Sequence, residues 1–239
     1  ETGRKEPKEI WLLTGAWFLG AAMNAIMTWW AVGSALAKAR EGRLTILTVT
    51  AGGRRPSWLA EPDRTDGSPV RTVVLAGREA ANGILSAVRE DPADLILLGW
   101  TGARGQGRYL LGRTLDPVVQ SAPCDVAVIR AEAGKSSLCE EPGCIERVLI
   151  PTHGGPNAAL AIDLALGLSP QAQVTALYVA RQVQGQVGAS LGRQRLDEIL
   201  EPWAGESRVQ GKVVTASSPI QGILTEAAKE YDLVMVGAS

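Results

Sequence analysis

The sequence predicts an α/β protein built as two tandem three-layer α/β/α domains with mostly parallel sheets. Three observations predict it. The chain repeats itself: Asp94-Leu95-Ile96-Leu97-Leu98-Gly99-Trp100 returns as Asp232-Leu233-Val234-Met235-Val236-Gly237-Ala238, an offset of 138 residues. Ile10–Thr14 returns as Val148–Thr152 at the same offset, and Gly83-Ile84-Leu85 returns as Gly222-Ile223-Leu224 at 139. Matched landmarks in one order imply two copies of one unit. Short apolar runs alternate with amphipathic segments, which implies right-handed βαβ crossovers and parallel pairing. The strand Ala93–Trp100 is apolar from Leu95 onward, as a strand covered on both faces must be.

Each element of the first half follows from its pattern. A buried strand is expected over 8–14, then a helix over about 21–40 that ends at Gly42. Met23, Ile26, Met27 and Trp30 follow the i, i+3, i+4, i+7 spacing of a core-facing stripe. Arg43–Thr50, with Leu-Thr-Ile-Leu-Thr-Val inside it, reads as the second strand. Residues 51–69, rich in Gly and Pro, read as a loop. Val70–Ala76 is the third strand, Arg78–Glu90 an amphipathic helix and Ala93–Trp100 the fourth strand. A glycine-rich loop over 101–108 leads to a helix over about 111–121 and a strand at Asp125–Arg130.

The second half repeats this order. Strands are expected at 146–151, 173–179, 208–215 and 232–237, with helices at 157–168, near 190–203 and at 219–230. The domains are therefore 1–133 and 146–239, joined by a linker at 134–145. The chain stops at Ser239, directly after a strand, so the second copy is expected to be incomplete at its C-terminus. Glu1-Thr2-Gly3 reads as an expression scar, and no secretory signal is recognised.

A length of 239 residues suits two ordinary domains, and 46% hydrophobic residues suffice for two cores. A formal net charge of -1 gives no bulk attraction to nucleic acid or anionic lipid. Cys124, Cys139 and Cys144 fit neither a zinc hairpin nor a C-x-x-C redox pair, and read as free cytosolic thiols. With His153 the single histidine, most His-dependent chemistry is excluded. No metal cluster or general base stands out, so no enzyme activity is expected. Residues 10–37 carry no charged side chain, a length that can span a bilayer. The repeat favours burial within the domain, because Ile10–Thr14 matches a segment of the second half that cannot span. A membrane span for 10–37 is the competing expectation.

The loop after the fourth strand runs Gly99-Trp100-Thr101-Gly102-Ala103-Arg104-Gly105-Gln106-Gly107-Arg108, followed by Gly112-Arg113-Thr114 and a helix. Glycines there let backbone amides approach phosphate oxygens, and the helix start adds partial positive charge. Arg104, Arg108 and Arg113 are forked donors. In an open parallel sheet, ligands bind outside the carboxyl ends of strands where the strand order reverses. The loop Thr14–Trp17 forms the opposite wall. A tight turn with no ligand is the competing reading.

The run Asp94–Arg130 resembles the universal stress protein signature. That signature has a strand ending in Gly, then Gly-x-x-Gly, a spacer, Gly-Ser/Thr, a helix and a Cys-Pro/Asp-Val-x-Val strand. Here the residues are Gly102-x-x-Gly105, Gly112-Arg113-Thr114 and Ala122-Pro123-Cys124-Asp125-Val126-Ala127-Val128. The resemblance covers nearly the whole chain as two copies and implies the stress-protein fold. Nucleotide-binding members hold ATP phosphates with these glycines and the Ser/Thr, and place an aspartate after the first strand near the ribose. The resemblance therefore implies ATP as cofactor and a site at Thr14, Gly15, Gly102, Gly105, Gly112, Arg113 and Thr114. The chain departs from the family in three places. Six residues separate Gly105 from Gly112, fewer than usual. Thr14-Gly15 and Thr152-His153 stand where the aspartate belongs. The second copy stops before its glycine loop.

A finer resemblance is to the tandem stress-protein-like cytosolic tails of amino-acid permeases and cation–chloride cotransporters. It rests on Leu13-Thr14-Gly15-Ala16, on Thr28-Trp29-Trp30-Ala31 through Gly42-Arg43-Leu44-Thr45, and on Leu115-Asp116-Pro117-Val118-Val119. It implies a non-enzymatic regulatory or assembly module, cytoplasmic, attached to the membrane domain of a transporter in the same polypeptide. It also implies a homodimer and no nucleic-acid partner. The alternative is a free-standing tandem stress protein that binds ATP.

Other constellations read as structural. Asp197, Glu198 and Glu201 beside Arg193 and Arg195 form a solvated helix face. His153 sits in a Thr-His-Gly-Gly-Pro-Asn turn. Asn157 is placed to cap the helix that follows. Arg54-Arg55 is too short for a nucleic-acid patch. Trp17, Trp29 and Trp30 belong to the core or to a buried partner surface.

Overall fold

The computed structural model describes residues 9–15, 23–50, 52–54, 70–100, 109–130 and 145–237. The chain divides into two compact units, Glu1–Glu140 and Glu141–Ser239. The first holds strands β1 (Glu9–Gly15), β2 (Arg43–Thr50), β3 (Val70–Ala76), β4 (Leu95–Trp100) and β5 (Asp125–Arg130). Its helices are α1 (Met23–Ala39), α2 (Ala80–Glu90) and α3 (Leu115–Ser121). All strand pairs are parallel, in the order β3-β2-β1-β4-β5. The segment Glu9–Gly15 is thus a sheet strand, paired on both sides: Ile10 lies opposite Leu44 on β2 and opposite Leu95 on β4. No helix among the described residues is long and apolar enough to cross a membrane.

Burial explains the pattern of these strands. On β2, Leu44–Val49 are all buried, because helices cover both faces of the sheet centre. The edge strand β3 is only half-buried. Trp29 is buried as expected, and among the described side chains of α1 the core-facing residues are not centred on Trp30. They run through Trp29, Val32, Leu36 and Ala37, while Trp30 is half-exposed. Met23, Ile26 and Met27 have side chains outside the described residues. Trp29 rather than Trp30 faces the sheet, at the point where β4 carries a glycine. A Cβ on Gly99 would lie 2.1 Å from the Trp29 ring, so the missing side chain of Gly99 is what admits the indole.

The second unit holds β6 (Arg147–Pro151), β7 (Gln173–Arg181), β8 (Val209–Ala216) and β9 (Leu233–Val234). Its helices are α4 (Pro156–Leu168), α5 (Gly185–Leu200) and α6 (Pro219–Ala227). The strand order β8-β7-β6-β9 is again all parallel and reproduces β3-β2-β1-β4. Two boundaries depart from expectation. The helix before β8 begins at Gly185, because β7 passes almost directly into it through a short 3-10 turn. Asn157 does not cap α4: Gly155 holds the cap position with φ 95°, and Pro156 fills the first helical position, where its missing N–H costs nothing.

One hydrogen-bond device recurs in both units. In the first, the Glu9 amide donates to Asp94 Oδ2 at 2.8 Å and the Asp94 amide donates to the Glu9 carbonyl at 2.8 Å. In the second, the Arg147 amide donates to Asp232 Oδ2 at 2.8 Å and the Asp232 amide donates to the Arg147 carbonyl at 3.0 Å. The aspartate ties the start of β4 to the start of β1 in one unit, and the start of β9 to the start of β6 in the other. It is satisfied there by charge-assisted bonds, which is why Asp precedes both apolar strands.

Candidate functional site

Parallel strands place all their carboxyl ends on one side of a sheet. In the first unit the strand order reverses between β1 and β4, so the switch-point crevice opens between Gly15 and Trp100. Thr14 and Gly15 end β1 at this crevice. Gly102 and Gly105, like Arg104 and Arg108, lie outside the described residues. Gly112, Arg113 and Thr114 form the turn that enters α3. Gly112 has φ 124°, a left-handed conformation that favours glycine, and nothing stands within 4 Å of where its Cβ would be. Arg113 is exposed. Thr114 is the residue before α3, yet its hydroxyl caps no helical amide.

Asp116, in the first turn of α3, instead reaches back to the turn that precedes the helix. Its Oδ2 accepts from the Leu111 amide at 2.9 Å and from the Gly112 amide at 2.8 Å, and its own amide donates back to the Gly112 carbonyl at 3.2 Å. Two consecutive amides aimed at one point make an anion-binding concavity. Here the chain's own carboxylate fills it. Sequence reasoning named Asp116 only as part of the Leu115–Val119 resemblance. A carboxylate one turn after a Gly-x-Thr was the available signal.

At the same carboxyl ends, the Arg130 guanidinium lies 5.6 Å from the Trp100 ring centroid. Cys124, before β5, is half-buried. Burial, then the charges of Asp125 and Asp94, push its thiol up to about 11. It therefore stays protonated and unreactive at neutral pH.

In the second unit the corresponding turn is Thr152-His153-Gly154-Gly155. The Thr152 hydroxyl accepts from the Gly154 amide at 2.9 Å, and Gly154 and Gly155 both have positive φ, 105° and 95°. His153 is exposed and meets Tyr178 edge-on, with ring centroids 5.2 Å apart. Asp197, Glu198 and Glu201 are exposed, with Glu198 bonded to Gln194, so the solvated-face reading fits.

The strongest electrostatic feature was missed by sequence reasoning. Glu226 on α6 is 1% exposed. Its carboxylate accepts from Lys212 Nζ at 2.7 Å, Lys229 Nζ at 2.9 Å and the Tyr231 hydroxyl at 3.2 Å. Arg147 in turn lies over the Tyr231 ring at 4.8 Å. Burial alone would raise the Glu226 pKa. The hydrogen bonds from Lys212 and Lys229 outweigh it, and the carboxyl titrates below its usual range. The Lys212 ammonium is held above its usual range, chiefly by its hydrogen bond to Glu226. A groove of about 430 Å³ runs alongside, between the end of β8 and α6. The missed signal was a lone acid flanked by Ile223 and Ala227 on the apolar face of α6. Among the described residues no group of His, Cys, Asp and Glu is placed to hold a metal ion.

Comparison with known proteins agrees with this architecture. Residues 59–130, which include the glycine loop, α3 and β5, match the Universal stress protein family. A 74-residue stretch is 38% identical to the Na(+)/H(+) antiporter NhaS5 of Synechocystis sp., covering 30% of this chain and 10% of the antiporter. A 64-residue stretch is 38% identical to Universal stress protein MJ0531 of Methanocaldococcus jannaschii, covering 27% of this chain and 37% of that protein. The chain thus spans well under half the length of these curated relatives. Among solved structures, a universal stress protein from Archaeoglobus fulgidus DSM 4304 superposes with a TM-score of 0.62 at 15% identity, over 95% of this chain and 85% of that one. A functionally unknown protein from Pseudomonas aeruginosa PAO1 gives 0.58 at 14% identity, over 98% and 82%. The chain therefore has the universal stress protein fold, and its residues 59–130 are similar to that family.

Proposed function

We propose that this chain is a non-enzymatic regulatory and assembly module, borne on the cytoplasmic side by a membrane transporter in the same polypeptide. The observation that supports a module without bound nucleotide is Asp116. Its carboxylate occupies the Leu111 and Gly112 amides. A phosphate seeking those donors meets a negative charge already bonded to them. The missing first-strand aspartate, replaced by Thr14-Gly15, removes a ribose contact as well. The transporter linkage is supported by the stretch shared with the antiporter NhaS5, and by the resemblance of Leu13–Ala16 to cotransporter tails. The cation–chloride cotransporter and amino-acid permease types are the carriers that this resemblance favours. Homodimerisation of the module belongs to the same proposal.

A second reading keeps nucleotide binding. It is favoured by the open space at Gly112 and by the family match across the loop. Equilibrium dialysis of the whole chain against ATP separates the two. The module reading expects no saturable binding below millimolar ATP. Micromolar binding by the wild-type chain, lost on Gly105 replacement by a bulky residue with the fold intact, overturns it. The complete reading frame tests the linkage: a series of apolar spans in the same frame supports it, and their absence overturns it.

A further inference from the structure

Two charged positions of the second unit have apolar counterparts in the first. An offset of 139 carries Lys212 to Val73 and Glu226 to Ala87. Ala87 is buried in the core of the first unit, and Val73 packs against that core. The fold thus closes the space between helix and edge strand with apolar contacts alone. Replacing such contacts by a buried ion pair seldom adds stability. Stability therefore does not account for the charged set, whereas recognition of a ligand does.

The set has charge to spare. Lys212 and Lys229 both bond Glu226, at 2.7 and 2.9 Å, and their side chains are still 42% and 56% exposed. An ammonium has three donors, and each of these spends one on Glu226. Two cations against one carboxylate leave one positive charge uncompensated. Arg147 adds a third cation, since it lies over Tyr231, which itself bonds Glu226. Its own partner Glu230, at 4.0 Å, is 95% exposed and screened by solvent.

Lys229 also lines the groove of about 430 Å³ between the end of β8 and α6, a volume typical of small-molecule sites. The groove follows β8, the sheet edge opposite β9. Its walls carry neutral hydrogen-bonding groups: Gln182 from the end of β7, Thr215 and Ser217 from the end of β8, Gln221 and Thr225 from α6. Gln221, Thr225 and Lys229 recur every four residues, so hydroxyl and amide lead along one face to the cation. Among the described residues that line the groove Glu226 is the only acid, and its carboxylate is already bonded to both lysines.

We propose that this groove binds a small hydroxyl-rich organic anion, of the sugar-acid or sugar-phosphate kind. Its anionic group takes a donor from Lys229 in the field of Lys212. Its hydroxyls, which both donate and accept, exchange hydrogen bonds with Ser217, Gln221 and Thr225. An aromatic ring is a poor match for walls of hydroxyls and amides. The site lies in the other unit from the turn at Gly112 and does not depend on a transporter linkage.

The test titrates the full chain with gluconate, glucose 6-phosphate, glucose and inorganic phosphate, read by backbone amide NMR shifts. Gluconate or glucose 6-phosphate should shift Ser217, Thr225 and Lys229 saturably, with Kd below about 1 mM. The tighter of the two identifies the anionic group. Glucose and inorganic phosphate, each offering half of the complement, should bind about tenfold more weakly or worse. Lys229→Gln should weaken binding about tenfold, and Thr225→Val, at an exposed position, about threefold with thermal unfolding unchanged. The proposal is overturned if neither anion saturates these shifts by about 10 mM, or if Lys229→Gln binds as the wild type does. Inorganic phosphate binding as tightly as glucose 6-phosphate also overturns it, because a bare cationic patch then suffices.

Discussion

Ala87 in the first unit and Glu226 in the second occupy the same position of the same helix, 139 residues apart. Ala87 packs silently into an apolar core. Glu226, as deeply buried, gathers Lys212, Lys229 and Tyr231 around itself. The fold accepts either solution because both leave no polar group stranded. The comparison teaches that the strand order and the Asp94 and Asp232 clamps are fixed in both units, while what fills the space between helix and edge strand is free to diverge.

The sharpest way to break that comparison is to remove the buried acid. Glu226→Ala leaves two partly exposed ammonium groups without their counter-charge and opens a void beneath α6, and should cost the second unit about 2 kcal/mol, read by denaturant unfolding. Ala87→Gly, its nearest equivalent, should cost about 1 kcal/mol through helix propensity alone. The acid also gives the second unit its own pH response. Its folded-state pKa lies below the ordinary carboxyl value. Its contribution is therefore complete above the unfolded pKa of about 4.3 and is lost as pH falls through the lower folded value. Amide exchange followed through acidification should show α6 and β8 loosening with this group, and Glu226→Gln should remove that component. An unchanged acid profile in Glu226→Gln would show that other carboxylates govern it.

The matched glycines Gly83 and Gly222 sharpen the comparison at the level of packing. A Cβ on Gly222 would stand 2.5 Å from Val179 Cγ1 and 3.1 Å from Ala216 Cβ. A Cβ on Gly83 would stand 3.2 Å from Val49 Cγ2. Val179 is buried and stiff at χ1. Gly222→Ala should thus destabilise the second unit by about 1–3 kcal/mol through overpacking. Gly83→Ala should fall near zero, its gain in helix propensity of about 1 kcal/mol offsetting a milder squeeze. Thermal unfolding of the two variants checks the order, and an equal loss would mean that the helices α2 and α6 sit at the same distance from their sheets.

The smallest effect concerns what the units share. Asp94→Asn and Asp232→Asn each weaken charge-assisted bonds to a first-strand amide and should each cost about 1 kcal/mol. Asp232 also accepts from the Glu146 amide at 2.9 Å, so its loss should be the greater by a few tenths. Exchange at the Glu9 and Arg147 amides reports the two separately. A neutral Asp94→Asn beside a costly Asp232→Asn would refute the shared role.

Much of the fold was legible because periodicity reports burial. The apolar runs at Leu44–Val49 and Leu95–Leu98 announced central strands, and the repeat fixed which strand answered which. Helix register was less legible: the stripe of α1 was placed through Trp30, while the structure buries Trp29, since nothing local reveals that Gly99 will face it. Asn157 was misplaced for a related reason, because Gly155-Pro156 starts a helix as well as a side-chain cap does. The glycine loop was legible as a motif. Its occupation by Asp116 was not, because which amides a carboxylate reaches depends on how the turn at Gly112 closes.

What the sequence determined by itself was the duplicated α/β order, the parallel strands and the aspartate at the head of β4 and of β9. These follow from local pattern, since alternation, length and turn residues act over a few positions. Only the tertiary structure decided that Trp29 rests on Gly99, that Asp116 takes the amides of the turn, and that Glu226 is buried among lysines. Those are contacts between residues that no short-range rule brings together. They arise when helices settle on a sheet and each remaining charge and void must find a partner.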